Sequence, residues 1–444
     1  MTKALARATA LLLFPLSALS QQAPPAPPAA APVSSSAQQT SPAQQTSSVT
    51  RISLEEAIRL ALQHNHVLQA ARSTILQNQA LETTANLRPN PVLSWDAQFL
   101  PIFQPNQFSA DYINNTAQFD LGIGYTFERG KKRQHRLSAA RDLTAVSRSQ
   151  VADNERTLTF NVAQQFISVE LAQSSIDLAR QDLDSFQKTV EISEQRYKAG
   201  DMSEGDFLKI KLQLLQFQTD LSSAQLSKVQ AIAALRQLIG FESVPDQFDV
   251  QGQLEYQPVH ATLQDLKALA MRTRPDLIAA QQSVSAARSQ ELLAEANGKR
   301  DLGASFNYSH TAAVNTGAVF FNIQLPIFDR NQGEIARTRS AITQSQELAQ
   351  ETTEQVMSDV VDAYEALRTN DQIVQLYRSG YVDAAQQSRD ISAYAFQKGA
   401  ASLLDFLDAE RTYRANQLAY RQALASYMTA LEQTRAAVGT RSLP

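Results

Sequence analysis

The feature that most constrains this chain is the segment 131–199, which contains neither Gly nor Pro. Because these two residues most often interrupt helices, the segment is predicted to form one continuous helix. At 1.5 Å per residue it would be about 100 Å long, far longer than a globular core needs. Apolar residues recur along it at alternating steps of three and four, as in a coiled coil. These residues are Leu158, Val162, Phe166, Val169, Ala172, Ile176, Ala179, Leu183, Phe186 and Val190.

The chain consists of two related halves. Residues 53–56 (Ser-Leu-Glu-Glu) recur as 262–265 (Thr-Leu-Gln-Asp), and 206–208 (Asp-Phe-Leu) recur as 405–407. The spacing between matching segments falls by about ten residues from the first pair to the second. The first half therefore has about ten extra residues between these segments, among predicted strands and loops, where a longer loop costs little free energy. Each half is predicted to read helix, helix, strand, strand, very long helix, turn, long helix. The sequence therefore predicts an internal duplication.

Each half contains two segments in which apolar and polar residues alternate, as in a strand with two different faces. They lie at about 92–100, 117–127, 302–310 and 318–328, and one face of each is rich in aromatic or large aliphatic side chains. Lengths of about 9 to 12 residues suit tilted membrane strands. A half-buried sheet of a soluble protein shows the same alternation. The flanking helices are far too long to cover a small soluble sheet, which favours membrane strands.

These patterns divide the chain into segments. Residues 1–20 are predicted to be a signal peptide, because Lys3 and Arg7 precede a short apolar run that ends in small residues. Residues 21–50 carry no charge and consist of Gln, Ala, Pro, Ser, Thr and Val, so they are predicted to be a disordered linker. The other predicted segments are a first repeat at 51–240 with its helical hairpin at 131–239, an equatorial linker at 241–260, and a second repeat at 261–440 with its hairpin at 334–438, interrupted at Gly380.

The composition excludes several classes of function. The chain has no Cys, which rules out disulfides, thiolate metal sites and a Cys nucleophile. A formal net charge of −4 gives no basic excess for binding nucleic acid. No catalytic triad, paired-acid site or Gly-rich phosphate loop stands out. The His residues, which match no metal-ligand spacing, are His64, His66, His135, His260 and His310. We therefore expect no enzyme activity, no cofactor and no resident metal.

Four strands cannot close a membrane barrel, since the smallest closed barrels have about eight. Open strand edges are not tolerated in lipid, so a barrel would have to be assembled from several chains. The polar strand faces would then line a wet lumen, and the coiled coils would extend the barrel into the periplasm. A second hypothesis is a periplasmic coiled-coil adaptor or scaffold without a pore. It predicts extraction without detergent and a monomer or dimer in solution.

Specific motifs connect the chain to a known family. They are the turn 396–399 (Phe-Gln-Lys-Gly) followed by 405–410 (Asp-Phe-Leu-Asp-Ala-Glu), and the strand exit 325–331 (Leu-Pro-Ile-Phe-Asp-Arg-Asn). Together with the duplication, they resemble the TolC-like outer-membrane factors over about 53–440. Within that family, 88–91 (Arg-Pro-Asn-Pro) and 128–133 (Glu-Arg-Gly-Lys-Lys-Arg) resemble the CzcC-type branch of heavy-metal efflux.

The resemblance implies a mainly α fold with a membrane β part. The expected assembly is a homotrimer whose twelve-stranded β-barrel, four strands per chain, continues into a long α-helical coiled-coil barrel in the periplasm. The expected location is the outer membrane of a Gram-negative bacterium, in contact with outer-membrane lipid. The implied partners are a periplasmic adaptor and an inner-membrane efflux pump. The expected function is a passive exit duct for metal cations or small toxic compounds in a tripartite, RND-type system.

The resemblance also assigns roles to the two hairpin turns. The turns around 197–207 and 396–406 are the expected adaptor contacts, with Gly200, Gly399 and Ser402 at their tips.

Acidic residues near these turns are the expected constriction of the periplasmic aperture. Asp405 and Asp408 match the family's aperture aspartates, and Asp206 is the counterpart of Asp405 in the first repeat. In a trimer each would form a ring of three carboxylates that attracts cations. Acids at a helix N-terminus also stabilise the helix dipole, and the two roles are compatible.

The latch of the best-studied family members cannot be carried over. There, the position that matches Asp206 is held through a tyrosine hydroxyl and an arginine. The corresponding residues here are Phe396, which has no hydroxyl, and Ala401.

Two charged sets accompany the strands. Asp96 and Asp120 fall on the polar strand faces and are expected to be solvated charges in the lumen. A basic run follows the second strand and is interpreted as a solvated band at the membrane–periplasm boundary. It comprises Arg129, Lys131, Lys132, Arg133 and Arg136.

Overall fold

The computed structural model describes residues 50–443. The predicted signal peptide (1–20) and all but the last residue of the predicted linker (21–50) lie outside this range. The helices are α1 (Leu54–His64), α2 (His66–Ala85), α3 (Ala110–Asn115), α4 (Lys132–Ala199), α5 (Glu204–Ile239), α6 (Leu263–Thr273), α7 (Pro275–Asn297), α8 (Gln332–Leu376), α9 (Val382–Gln397) and α10 (Leu403–Val438). The strands are β1 (Thr50–Ile52), β2 (Val92–Gln98), β3 (Gln118–Phe127), β4 (Phe248–Val250), β5 (Leu302–Thr311) and β6 (Val314–Ile323).

The two halves of the described chain have the same order of elements. Helices α1 and α6 have 11 residues each, and α5 and α10 have 36 each. Both halves begin with the same N-cap, because the side chain of Ser53 accepts from the backbone N–H of Glu56 and that of Thr262 accepts from Asp265. The predicted duplication is confirmed.

Helix α4 is continuous over 68 residues, about 100 Å at 1.5 Å per residue. Helices α2 and α5 both pack along it, as does α7 from the second half. Most of the predicted coiled-coil positions are buried, namely Val162, Phe166, Val169, Ala172, Ile176 and Phe186. The helix and its apolar face therefore agree with the sequence pattern.

The second long helix is interrupted where the sequence predicts it. Helix α8 passes into a π-helical turn at Tyr377–Tyr381, and α9 continues from there. Gly380 lies inside this turn at φ 117°, outside helical geometry. The second hairpin therefore has a kinked first arm where the first hairpin has the uninterrupted α4.

The four-stranded sheet joins the two halves. Its order is β2-β3-β5-β6, antiparallel throughout, so the first half contributes β2 and β3 and the second half β5 and β6. Within residues 50–443, β2 and β6 are edge strands with one partner each. The sheet has no closure of its own.

The fourth strand was wrongly predicted at 318–328. β6 covers Val314–Ile323, because Ala312 and Ala313 both adopt positive φ (49° and 62°) and reverse the chain within two residues. Such a turn normally uses Gly or Asn, so two alanines gave no signal for it. Beyond Ile323 the chain leaves the sheet, and Pro326 has no N–H for strand pairing.

The first strand also ends earlier than the predicted residue 100. Phe99 has φ 56°, which breaks the extended backbone after Gln98. The long connection that follows contains α3, where the second half has only a two-residue turn. This connection accounts for the predicted insertion in the first half.

The equatorial segment takes part in the core. β4, inside the predicted linker 241–260, pairs in parallel with β1, whose first residue is Thr50. Ile52 of β1 and Phe248 of β4 belong to one hydrophobic cluster with Val162, Phe166 and Leu235. Within residues 50–443, no helix combines the length and apolarity needed to cross a membrane.

Candidate functional site

The two turns predicted as tips have the same construction. Helix α4 ends at Gly200 (φ 85°), and the second turn contains Gly399 (φ 75°). Both conformations are left-handed, where a side chain would be strained. Ser203 then caps α5, and Ser402 caps α10 in a full capping box with Asp405. Gly200, Gly399 and Ser402 therefore build tight reversals at the hairpin ends.

The three aperture candidates lie just after these reversals. Asp405 accepts from the hydroxyl of Ser402 at 2.7 Å, and Asp408 pairs with Arg411 at 2.7 Å. Asp206 accepts from Lys209 at 3.1 Å and from Ser203, and these bonds lower its pKa. In a single chain, each carboxylate is thus bound within its own helix N-terminus.

An aromatic stack holds the two hairpins together near the tips. The ring of Phe396 lies parallel to that of Phe406, with centroids 5.0 Å apart, and Phe406 is stacked with Phe186 at 6.3 Å. Phe186 is stacked with Phe217 at 4.5 Å. These four rings, with Ile210, form one buried cluster. Phe396 is therefore a core residue and is only 6% exposed.

A buried charge network lies next to this stack. Arg414 of α10 is 3.4 Å from Asp182 of α4 and also pairs with Asp220 of α5. Its guanidinium lies over the ring of Phe217, 4.2 Å from the centroid. Asp182 is only 7% exposed. One cation therefore connects both arms of the first hairpin to the second.

The network continues on the second hairpin. Arg389 of α9 lies 3.9 Å from Glu410 of α10 and over the ring of Tyr413, 4.4 Å from its centroid. Burial raises the pKa of Glu410, and it raises that of Asp182 despite the opposing effect of Arg414. The two carboxylates are therefore only partly compensated by their cations.

The sequence interpretation missed this network. A signal was present, because Asp182 stands four residues before Phe186 and three after Ala179, both on the apolar face of the predicted coiled coil. An acid on such a face needs a partner on the opposing helix. The sequence does not show which helix supplies it.

The sheet has two chemically different faces. Asp96 and Asp120 stand directly opposite each other, and Asp120 stands opposite Ser309 on its other side, so the predicted lumen acids share one face. Trp95, Leu121 and Tyr308 form one row across the other face. Large side chains of that second face are exposed, namely Leu93, Trp95, Leu121, Ile123, Phe127, Phe306, Tyr308, Val319, Phe321 and Ile323. An exposed apolar face of this extent requires an apolar environment.

No metal centre is arranged in the described part of the chain. Within residues 50–443, no group of three or more His, Cys, Asp or Glu side chains is placed to hold a metal ion.

Comparison with known proteins gives a consistent result. A sequence model of the outer membrane efflux protein family matches residues 57–241 and 266–440, one match in each repeat. The cobalt-zinc-cadmium resistance protein CzcC of Cupriavidus metallidurans is 27% identical over 401 residues, covering 88% of both chains. The cation efflux system protein CusC of Escherichia coli K12 is 25% identical over 333 residues, covering 69% of this chain and 70% of that protein.

The fold is shared with solved outer-membrane channels. The crystal structure of the Campylobacter jejuni CmeC outer membrane channel matches with a TM-score of 0.73 at 15% identity, covering 88% of this chain and 86% of that one. The predicted resemblance to TolC-like factors is thereby confirmed, and the hypothesis of a pore-free scaffold loses its support. The chain belongs to the outer membrane efflux protein family and is a channel protein of the outer membrane, not an enzyme.

Proposed function

We propose that three copies of this chain form the outer-membrane exit duct of a tripartite efflux system. The observation that carries the proposal is the four-stranded sheet, whose apolar face is exposed and whose edge strands β2 and β6 each have a free edge within residues 50–443. Lipid does not tolerate open edges, so β2 of one copy would pair with β6 of the next. Three such sheets close a twelve-stranded barrel, with Asp96 and Asp120 on its lumen side.

The hairpins would continue this barrel into the periplasm. Their tips, with Gly200, Gly399 and Ser402, would meet a periplasmic adaptor that connects the duct to an inner-membrane pump. Exposed leucines flank both tips, since Leu208 is 51% exposed and Leu404 is 76% exposed. An apolar surface rimmed by the polar caps suits docking of another protein's helical end.

The proposed cargo is metal cations, with small toxic compounds as the alternative. CzcC is named for resistance to cobalt, zinc and cadmium, and CusC for cation efflux. In a trimer, Asp405 and Asp408 would each form a ring of three carboxylates at the periplasmic aperture, and Asp206 could add a third. Such rings concentrate cations at a constriction.

Closure of the aperture would rest on the buried contacts between the hairpins. The contacts that support this are the aromatic stack of Phe396 and Phe406 and the ion network around Arg414, which join the two hairpins near their tips. Separating the hairpins would expose the rings and leave Asp182 without its cation. These contacts therefore oppose opening.

The experiment is reconstitution of the purified chain in planar lipid bilayers, with the mass of the detergent-solubilised particle measured in parallel. We expect a trimeric mass and discrete conductance steps with a preference for cations. A monomeric mass without conductance would contradict the duct.

Cargo is tested separately in cells that lack their own copy of the gene. Restored growth on cobalt, zinc or cadmium salts, with no change in tolerance to organic dyes, would support metal cations. The reverse result would favour small toxic compounds.

A further inference from the structure

Four junctions between sheet and helices lie at the same end of the sheet. Residues 86–91 lead into β2, 128–136 follow β3, 298–301 lead into β5, and 324–331 follow β6. The strand register brings them together, because Phe127 pairs with Leu302 and Leu302 with Ile323. The basic run found in the sequence is thus one part of a larger belt.

This belt is strongly cationic. It contains nine basic side chains and three acidic ones, in a chain whose formal net charge is −4. The basic residues are Arg88, Arg129, Lys131, Lys132, Arg133, Arg136, Lys299, Arg300 and Arg330, and the acidic ones are Glu128, Asp301 and Asp329. A charge excess of this size at one level of the molecule attracts anions.

Two basic residues of the belt form ion pairs with acidic residues of the same belt. Lys132 pairs with Asp301 at 2.8 Å, and Arg136 pairs with Glu128 at 2.7 Å. Arg136 also donates to the carbonyl oxygen of Leu87. These contacts fix the start of α4 against the neighbouring junctions and neutralise two of the three acids.

Other basic side chains are available to a ligand. Arg88, Lys131 and Arg133 form no ion pair within residues 50–443, and they line a groove of about 400 Å³. Glu128 and Lys132 also line it, but their charges are already paired with Arg136 and Asp301. Tyr125 and Phe127, from the apolar face of β3, form the wall of the same groove, with their ring centroids 4.8 Å apart. The groove therefore has a basic rim and an apolar wall continuous with the exposed strand face.

A second groove of similar character lies between the two halves. Arg129 of the first half and Lys299 and Arg300 of the second line a space of about 360 Å³ together with Ile323, Leu325 and Pro326. Ile323 belongs to the apolar face of β6, in register with Leu302. The same combination of basic rim and apolar wall thus occurs at the exits of both β3 and β6.

We propose that these two grooves bind anionic phospholipids of the periplasmic leaflet of the outer membrane. The basic rim would take the headgroup phosphate, and an acyl chain would lie along the apolar strand face. An amphiphile satisfies both surfaces, whereas free phosphate uses only the rim. The inference rests on the location in the outer membrane and is independent of the cargo.

The test uses the assembled full-length protein, purified in detergent and stripped of lipid. It is incubated with phosphatidylglycerol or phosphatidylcholine of equal chain length, and bound lipids are counted by native mass spectrometry. The wild type is expected to retain phosphatidylglycerol preferentially. The combined variant Arg88→Gln, Lys131→Asn, Arg133→Gln should lower this preference by about tenfold or more. Asn is used at 131 because that residue has φ 59°, which Asn tolerates.

A control variant carries the same change in charge elsewhere. Arg148→Gln, Arg180→Gln, Arg272→Gln removes three exposed basic residues from helices away from the belt. Its lipid preference should equal that of the wild type. Should the belt variant fail to assemble, Lys131→Asn alone is expected to lower the preference by about threefold.

Several results would overturn the proposal. They are an assembled wild type without preference for phosphatidylglycerol, equal losses in the belt and control variants, and displacement of phosphatidylglycerol by millimolar inorganic phosphate. Each result is measured on protein of intact oligomeric mass. The outcome of the lipid-binding test therefore does not depend on whether the duct conducts ions.

Discussion

Arg196, in the last turn of α4, donates from Nη1 to the carbonyl oxygen of Phe396 at 3.0 Å. Its guanidinium carbon also lies 5.5 Å from the centre of the Phe396 ring. The contact joins the ends of the two hairpins through one residue of each repeat. Phe396 thus connects the hairpins through its ring and its backbone carbonyl.

Replacement of Phe396 by Ala should loosen both tips. The ring is almost fully buried against Phe406, so its loss is expected to cost about 3–5 kcal/mol of local stability. The measurement is hydrogen exchange of peptides from the two tip turns, which should lose protection. Phe241→Ala removes a ring that is 61% exposed and serves as the matched control. Equal exchange at the tips of both variants would refute a clamping role for Phe396.

Replacement of Arg414 by Met tests the charge network. Removal of one partner of a buried ion pair costs about 3–5 kcal/mol, because the remaining charge stays buried. We expect a lower unfolding temperature and, in bilayers, more frequent opening. The double variant Arg414→Met, Asp182→Leu should recover part of the loss, because it also removes the stranded carboxylate.

The control for this network is an exposed pair on the same helix as Asp182. Lys188 and Asp184 are 2.8 Å apart, with side chains 70% and 68% exposed, so solvent screens this pair and Lys188→Met should lower stability far less than Arg414→Met. An equal effect of Arg414→Met and Lys188→Met would show that the buried network contributes nothing special to closure.

Glu170 should make the equatorial region sensitive to pH. The Glu170 side chain is 6% exposed, and its Oε2 has no hydrogen-bond partner in the described part of the chain. It lies so close to Gly252 that a Cβ on that glycine would come within 1.9 Å of Oε1. Burial, with a smaller contribution from Glu255, raises its pKa from 4.5 to about 7. The protonated form is therefore the one that the folded chain favours.

The sign of the pH effect follows from this raised pKa. Stability contributed by the protonated group is fully present below pH 4.5 and is lost as the pH rises toward 7. The loss amounts to about 3 kcal/mol at 1.36 kcal/mol per pH unit. Glu170→Gln should raise the unfolding temperature relative to the wild type at pH 8 but not at pH 4. Glu242→Gln, at an exposed position, is the control, and an identical pH dependence in all three proteins would refute the assignment.

Sequence periodicity predicted the long helices, the duplication and three of the four strands closely, because each signal extends over many residues. The fourth strand was misplaced because the reversal at Ala312–Ala313 uses residues that carry no turn signal. The ion network was missed for a different reason. Burial of Asp182 depends on which face of α10 meets α4, and that is a property of tertiary packing.

The positions of Asp405 and Asp408 beside a tip turn could be predicted, whereas their bonds to Ser402 and Arg411 became visible only in the structure.

Pairing of β2 with β6 between neighbouring copies can be tested with engineered disulfides. The chain has no Cys, so the only thiols are those introduced. Ser94→Cys in β2 is combined in turn with Thr316→Cys, Ala318→Cys or Phe320→Cys in β6, all on the face shared with Asp96. Oxidation of at least one combination should give cross-linked trimers on denaturing gels. Val319→Cys points to the opposite face and is the control. Two results would contradict this barrel: equal yields of cross-linked trimer with Val319→Cys, or no cross-linked trimer with any combination.

The combined variant Asp405→Asn, Asp408→Asn should reduce the cation preference of the channel. Asn at 405 can still accept the bond from Ser402, so the helix cap is retained while the charge is removed. With two rings of three carboxylates neutralised, the reversal potential in a salt gradient should move toward that of a non-selective pore. Arg411→Gln should have the opposite effect, because it frees Asp408 from its partner 2.7 Å away. Asp383→Asn, an exposed acid in the first turn of α9, is the control and should leave selectivity unchanged. If the Asp405 and Asp408 variant keeps the wild-type reversal potential, these two residues do not line the aperture.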